Sequence, residues 1–144
     1  MADTQLTGTL VDQVVTLAQR TLDDLRDILR TLDLTEPVAN LLWLVDPAAD
    51  PAPLRQLAER LHCDPSNISL MATKLEERGL AERRPHPRDG RVRTLVLTDA
   101  GERVRARLAD RMETASPLAA LSTTEQRQLH QLLSKALGTH RSGR

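Results

Sequence analysis

One short segment of this chain departs from an otherwise helical rhythm of apolar residues. Between positions 80 and 97 the apolar spacing falls from three and four to two. Residues 80–84 and 92–97 are the only runs that read as strands, and they flank Pro85-His86-Pro87-Arg88-Asp89-Gly90-Arg91. An Asp-Gly pair between two extended runs signals a hairpin, because both residues tolerate positive φ. On the second run Leu95 and Leu97 share a face, so Arg93 is expected to lead the inward set and Val96 to point out. Composition supports the contrast with the rest of the chain. There are 26 Leu and 16 Ala against one Trp, with no Phe and no Tyr. That supply favours helices and excludes an all-β sandwich or barrel.

The helical remainder divides at its loops. Residues 6–32 contain no proline, and Leu6, Leu10, Val14, Leu17, Leu25, Ile28 and Leu32 recur at helical steps. A second stripe, Val11, Val15, Ala18, Leu22 and Leu29, lies beside the first. A face this broad is expected to pack on its own domain and on a partner subunit. Thr35 reads as an N-cap before a short helix through Val45, with Pro37 in its first turn. Three prolines between 47 and 53 make a loop. A short helix over 54–61 turns Leu54, Leu57, Ala58 and Leu61 inward. The next, over 65–78, opens at Asp64-Pro65 and stops at Gly79. After the hairpin, Thr98 or Asp99 caps a helix carrying Val104, Leu108, Met112 and Ala115 as far as Pro117. A capping box over 122–125 starts the last helix, and residues 139–144 read as a frayed tail. The expected fold is mainly α with a small β-wing. A winged helix-turn-helix over 35–101 lies between long helices at 5–33 and 102–138, in one domain spanning 1–144.

The net charge is zero, but its distribution is uneven. Residues 1–53 hold three Arg against nine Asp and Glu, whereas residues 54–93 hold nine Lys and Arg against six acids. Eighteen of the 20 cations are Arg, a side chain suited to phosphate and base edges. On helix 65–78, Ile68, Met71, Ala72 and Leu75 make the inward stripe, which leaves Ser66, Asn67, Ser69, Leu70, Thr73 and Lys74 outward. Short hydroxyls and amides near a helix N-terminus suit base edges in a groove, and Lys74 suits phosphate. Residues 83–93, within the wing at 81–97, hold five Arg and a His, of which Arg84, His86, Arg88 and Arg91 are candidate DNA contacts. A wing-tip Arg can enter a narrow minor groove. Asp89, two residues before Arg91, is placed to hold that guanidinium by a bidentate pair.

Leu57-Ala58, Asp64-Pro65-Ser66, Leu75-Glu76-Glu77-Arg78-Gly79-Leu80, Asp89-Gly90-Arg91 and Leu97-Thr98-Asp99-Ala100-Gly101 together resemble the MarR family of bacterial transcriptional regulators. The resemblance is tightest over 54–101, and the outer helices match in placement and length. It implies a winged-helix homodimer that binds pseudopalindromic double-stranded DNA, usually as a repressor relieved by a small ligand or an oxidant. Carried over, the recognition-helix contacts fall on the six outward residues of helix 65–78. The minor-groove arginine falls on Arg91, with Asp89 as its orienter. Ligand-binding members use a cavity between the dimerisation helices and the winged domain, for which Trp43 is the one candidate lining residue here. The sensing half departs from the family's thiol sensors, since the single Cys63 lies in the turn of the helix-turn-helix and no tyrosine is present.

Other functions fit less of the chain. A winged-helix adaptor for protein partners would use the same fold without sequence-specific DNA binding. No nucleophile–base pair, paired-carboxylate site or Gly-rich phosphate loop points to an enzyme, and nothing calls for a cofactor. His62 and Cys63 lack further ligands for a metal. One cysteine, no export signal and no apolar stretch of about 18 residues point to a reducing cytoplasm and no membrane.

Overall fold

The structure is a computed structural model and describes residues 2–138; the expected tail at 139–144 lies outside them. Six helices and one hairpin follow in the order α1 (Ala2–Thr31), α2 (Glu36–Leu44), α3 (Leu54–Arg60), α4 (Pro65–Glu77), β1 (Ala81–His86), β2 (Asp89–Leu97), α5 (Asp99–Ala115) and α6 (Thr123–Ala136). A 3-10 turn, Pro117–Ala120, separates α5 from α6, where Pro117 ends the helix as expected. Among the described residues no helix is long and apolar enough to cross a membrane.

Three helices end in the same way. At α1, Leu34 N–H donates to Leu29 O (2.9 Å) and Asp33 N–H to Arg30 O (3.2 Å), with Asp33 at φ 51°. At α3, Cys63 N–H donates to Ala58 O (3.0 Å) and His62 N–H to Glu59 O (3.2 Å), with His62 at φ 51°. At α4, Leu80 N–H donates to Leu75 O (2.9 Å) and Gly79 N–H to Glu76 O (2.8 Å), with Gly79 at φ 66°. Each is a Schellman closure that satisfies orphan carbonyls through one left-handed residue. Only the glycine announces itself in the sequence. Asp and His are the less obvious residues that visit this region.

The core lies between the last turns of α1, the helices α2, α3 and α4, the base of the hairpin and the first half of α5. Leu41, Leu42, Leu57, Ile68, Leu75 and Leu95 are fully buried. Ala58, also buried, belongs to the same cluster. Outside this core the apolar stripes continue without cover. Leu6, Leu10, Val11, Val14, Val15 and Leu22 of α1, Met112 of α5 and Leu132 of α6 are exposed, and α6 buries no residue. A complete capping box starts α6: Ser122 N–H and Oγ both donate to Glu125 Oε2 (2.8 Å each). These bonds, the backbone one foremost, hold the Glu125 carboxyl below the usual carboxylate range.

The hairpin differs from expectation at its tip. The strands pair antiparallel from Ala81↔Leu97 to Pro85↔Arg93, and then the register slips to His86↔Asp89. The turn is therefore Pro87-Arg88, and Asp89-Gly90 belongs to β2 with neither residue at positive φ. Pro87 presets the φ of a turn's first central residue, which outcompetes the Asp-Gly signal. Facing also differs at mid-strand. Arg93 is exposed rather than inward, and Thr94 is fully buried. Pro53, in the loop before α3, pairs with Thr94 through an isolated antiparallel bridge, while the Thr94 hydroxyl donates to Arg84 O at 3.0 Å.

At the base of the hairpin, Thr98 joins three elements. Its N–H donates to Leu80 O (3.1 Å), its hydroxyl donates to Gly79 O (2.6 Å), and Thr98 Oγ1 in turn accepts from Gly101 N–H (3.1 Å). Gly101 is buried against Leu80, and a Cβ there would lie 1.8 Å from Leu80 O. Main chain cannot give way as a flexible side chain does. Gly101→Ala is therefore expected to destabilise the protein by about 3 kcal/mol or more, at the upper end of overpacking costs. Denaturant unfolding of the variant measures it.

Candidate nucleic-acid interface

The candidate surface is built from α4 and the wing. Pro65 opens α4, and Asp64 caps it through its backbone: its carbonyl accepts from Asn67 N–H (3.0 Å) and Ile68 N–H (3.1 Å), and its carboxylate makes no cap bond. Ile68, Ala72 and Leu75 bury one face of the helix. Ser66, Asn67, Ser69, Leu70 and Lys74 are exposed and Thr73 is half-buried. Two of these six are turned toward the wing. Ser69 Oγ (3.2 Å) and Thr73 Oγ1 (3.1 Å) both accept from Arg83 Nη2, which also donates to Ser69 O at 2.7 Å. The exposed stripe that Arg83 does not touch is Ser66, Asn67, Leu70 and Lys74.

On the wing, Arg84, Arg88 and Arg91 are exposed and His86 is half-buried. Arg84 pairs with Glu82 on its own strand. His86 Nδ1 accepts from Arg88 N–H at 3.1 Å, which closes the turn. Arg88 Nη2 reaches Asp50 Oδ2 at 3.5 Å across open solvent, a geometry that contributes little. Asp89 does not pair with the Arg91 guanidinium. Its Oδ1 accepts from the Arg91 main-chain N–H at 3.1 Å, so it shapes the strand beneath Arg91 and leaves the side chain unrestrained.

The stretch from α2 to the wing matches a known family. The MarR family model aligns with residues 34–92. The PcaV transcriptional regulator of Streptomyces coelicolor, solved with its natural ligand, is 30% identical, with 85% of this chain and 89% of that one covered at a TM-score of 0.60. The chain belongs to the MarR family. CouR of Rhodococcus jostii RHA1, solved with p-coumaroyl-CoA bound, is 26% identical over 90% of each chain, with a TM-score of 0.69. The HTH-type transcriptional repressor MdtR of Bacillus subtilis (strain 168) is 43% identical over 47 residues. That match spans 30% of MdtR and 33% of this chain. The protein is thus a MarR-family transcriptional regulator with a winged-helix fold.

Other residues of this MarR-family chain sit away from the DNA-facing candidates. Trp43 is 41% exposed rather than buried, and the Arg105 guanidinium lies 4.8 Å from its ring centroid while Arg105 Nε donates to Trp43 O (3.2 Å). It lines none of the described cavities. A cavity of about 520 Å³ lies instead between α1, α5 and α6, floored by Leu25, Ile28, Leu129 and Leu133 with Asp24, Arg111 and His130 among its polar lining. Cys63 is half-buried in the turn after α3.

Two arginines escaped the reading of the sequence. Arg83 was one cation among five in the wing, and its partners on α4 become visible only when strand and helix are docked. Arg78, at the end of α4, donates through Nη1 to Asp33 O and through Nη2 to Leu32 O (2.8 Å), so it ties α4 to the end of α1. Nothing holds the Arg91 guanidinium among the described residues. Arg91→Ala is accordingly expected to leave stability within about 0.5 kcal/mol of the parent, as measured by denaturant midpoint.

Proposed function

We propose that this chain is a homodimeric repressor that reads pseudopalindromic operators, with α4 in the major groove and the wing at the minor groove. The observation that carries the reading is the pairing of one exposed polar helix face with an arginine-bearing hairpin fastened beside it. Asn67, in the first turn, suits a bidentate contact with adenine, and the exposed Leu70 suits a thymine methyl. Ser66 flanks them, Ser69 and Thr73 border the wing, and Lys74, two turns on, suits phosphate. Arg84, His86 and Arg88 would follow the backbone while Arg91 enters the minor groove. Residues 35–101 would form the DNA-binding part, and 5–33 with 102–138 the dimerisation part. A small-molecule effector belongs to the same reading: PcaV and CouR were both solved with ligands, and the cavity between α1, α5 and α6 has an apolar floor with charged groups near it.

Dimerisation follows from the uncovered stripes on α1, α5 and α6, over 6–32, 104–115 and 122–138. Contiguous apolar faces of this extent mark an interface. The mass in solution at micromolar concentration should be that of two chains, and a monomer would remove the basis for a palindromic operator.

The recognition helix is tested by selecting bound sites from a genomic DNA pool. Alanine variants are then titrated against the selected and random duplexes across a salt series. Asn67→Ala should cost about 1–3 kcal/mol on the operator and relax preference at one base position per half-site. Lys74→Ala should weaken both duplexes alike and lower the salt slope by about one unit per contact. Half-site centres should lie about 10 base pairs apart. Equal loss on both duplexes for Asn67→Ala, with altered base preference for Lys74→Ala, would show that the helix is not seated this way. A parent protein with no salt-dependent binding at all would favour the adaptor.

A further inference from the structure

We infer that Arg83 is a positioning residue: it latches the wing to α4 and so sets where the wing-tip cations stand relative to the groove-facing stripe. The inference rests on the DNA-binding reading above, but the latch itself is a property of the free protein.

Ser69, Thr73 and Glu76 fall at i, i+4 and i+7 of α4, one helical stripe beside the buried Ile68, Ala72 and Leu75. On β1, Arg83 shares a face with the buried Ala81, so its side chain is directed at the helix while those of Glu82 and Arg84 point the other way. The guanidinium fork then meets the stripe along its length. Nη1 pairs with Glu76 Oε2, and Nη2 reaches Ser69 O, Ser69 Oγ and Thr73 Oγ1. Glu76 closes the ring from the other side, since its Oε1 accepts the Arg83 main-chain N–H at 2.9 Å. One carboxylate thus holds both the backbone and the side chain of a single strand residue. The paired side chains are only 24% and 30% exposed, so salt screens this contact less than the surface pairs at Arg84 and Arg88.

A two-stranded hairpin has little stability of its own. Beyond Arg83 the wing extends about 13 Å to its turn at 3.3 Å per residue, so a tilt of about 10° at its base carries the tip about 2 Å. Base contacts tolerate less displacement than that, with productive geometry held to about 0.5 Å. Phosphate attraction is far more permissive. Loss of the latch should therefore reduce discrimination between operator and random DNA and leave the general electrostatic affinity in place.

The test compares Arg83→Ala, Arg83→Lys and Glu76→Ala with the parent. Affinities for the selected operator and a random duplex are measured across a salt series. Amide hydrogen exchange of residues 84–94 is measured without DNA, relative to buried amides of α4 so that any global destabilisation cancels. Arg83→Ala and Glu76→Ala should each lower the operator-to-random affinity ratio about tenfold, with the salt slope unchanged. Wing exchange should quicken in both. Arg83→Lys keeps the charge but lacks the fork, and should recover little of the ratio. A salt slope lower by about one unit per protomer in Arg83→Ala, restored by Arg83→Lys with the ratio intact, would make Arg83 a phosphate contact and overturn the latch. An unchanged ratio, slope and wing exchange would overturn it as well. If the parent binds no DNA, the functional reading fails by itself and exchange alone decides: selective quickening in the wing supports the latch, and its absence refutes it.

Discussion

The architecture depends on one backbone junction, at Leu80. Its N–H closes the end of α4 on Leu75 O, its carbonyl accepts from Thr98 N–H, and Gly101 packs against that same carbonyl without a Cβ. Helix α4 ends, the hairpin begins and ends, and α5 begins within one knot of main-chain bonds. Once these groups are cut off from water, leaving any of them unpaired would cost its full desolvation, which favours the closed junction. The side chain of Leu80 is itself buried, so the junction is at once a hydrogen-bond node and part of the core. Gly79 adopts its positive φ there without the strain a side chain would add, and Gly101 is required by contact distance.

From that junction two kinds of surface extend in opposite chemical directions. The first is polar and cationic: the outer stripe of α4 and the hairpin, held together by the Arg83 fork. The second is apolar: the first two-thirds of α1 and all of α6, which contribute nothing buried to the core. A chain that exposes this much leucine and valine in continuous stripes does so at a hydrophobic cost that a second copy would offset. Arg78 connects the two regions, since it leaves the end of α4 and binds the last carbonyls of α1. The end of α1 and the end of α4 are thereby joined through a direct hydrogen-bonded contact.

The wing shows how one residue type takes on several roles. Arg83 binds the helix, Arg84 pairs along its own strand, Arg88 reaches across to Asp50, and Arg91 is held only through its main chain. Asp89 illustrates the same point from the acidic side. Its spacing from Arg91 fits a bidentate pair, yet the carboxylate finds the nearer backbone N–H first, as Asp commonly does two residues back from a turn's far side. Trp43, the candidate cavity-lining residue, instead lies at the surface under Arg105.

Periodicity and punctuation were enough to establish the helix order, the hairpin, the capping box of α6 and the apolar surplus at the chain ends. These are local consequences of side-chain spacing, of glycine and proline geometry, and of short-range capping, and each leaves its mark within a few residues. The outward placement of Ser66, Asn67, Ser69, Leu70 and Lys74 on α4 was legible for the same reason. What needed the tertiary structure were contacts between residues distant along the chain or governed by competing local signals. Pro87 displaced the turn from Asp89-Gly90, Pro53 paired with Thr94 from a loop some forty residues away, and docking of β1 brought Arg83 onto Ser69 and Thr73. A guanidinium reads the same in sequence whether it meets solvent, phosphate or a helix flank. Only packing decides which partner lies within reach of its fork.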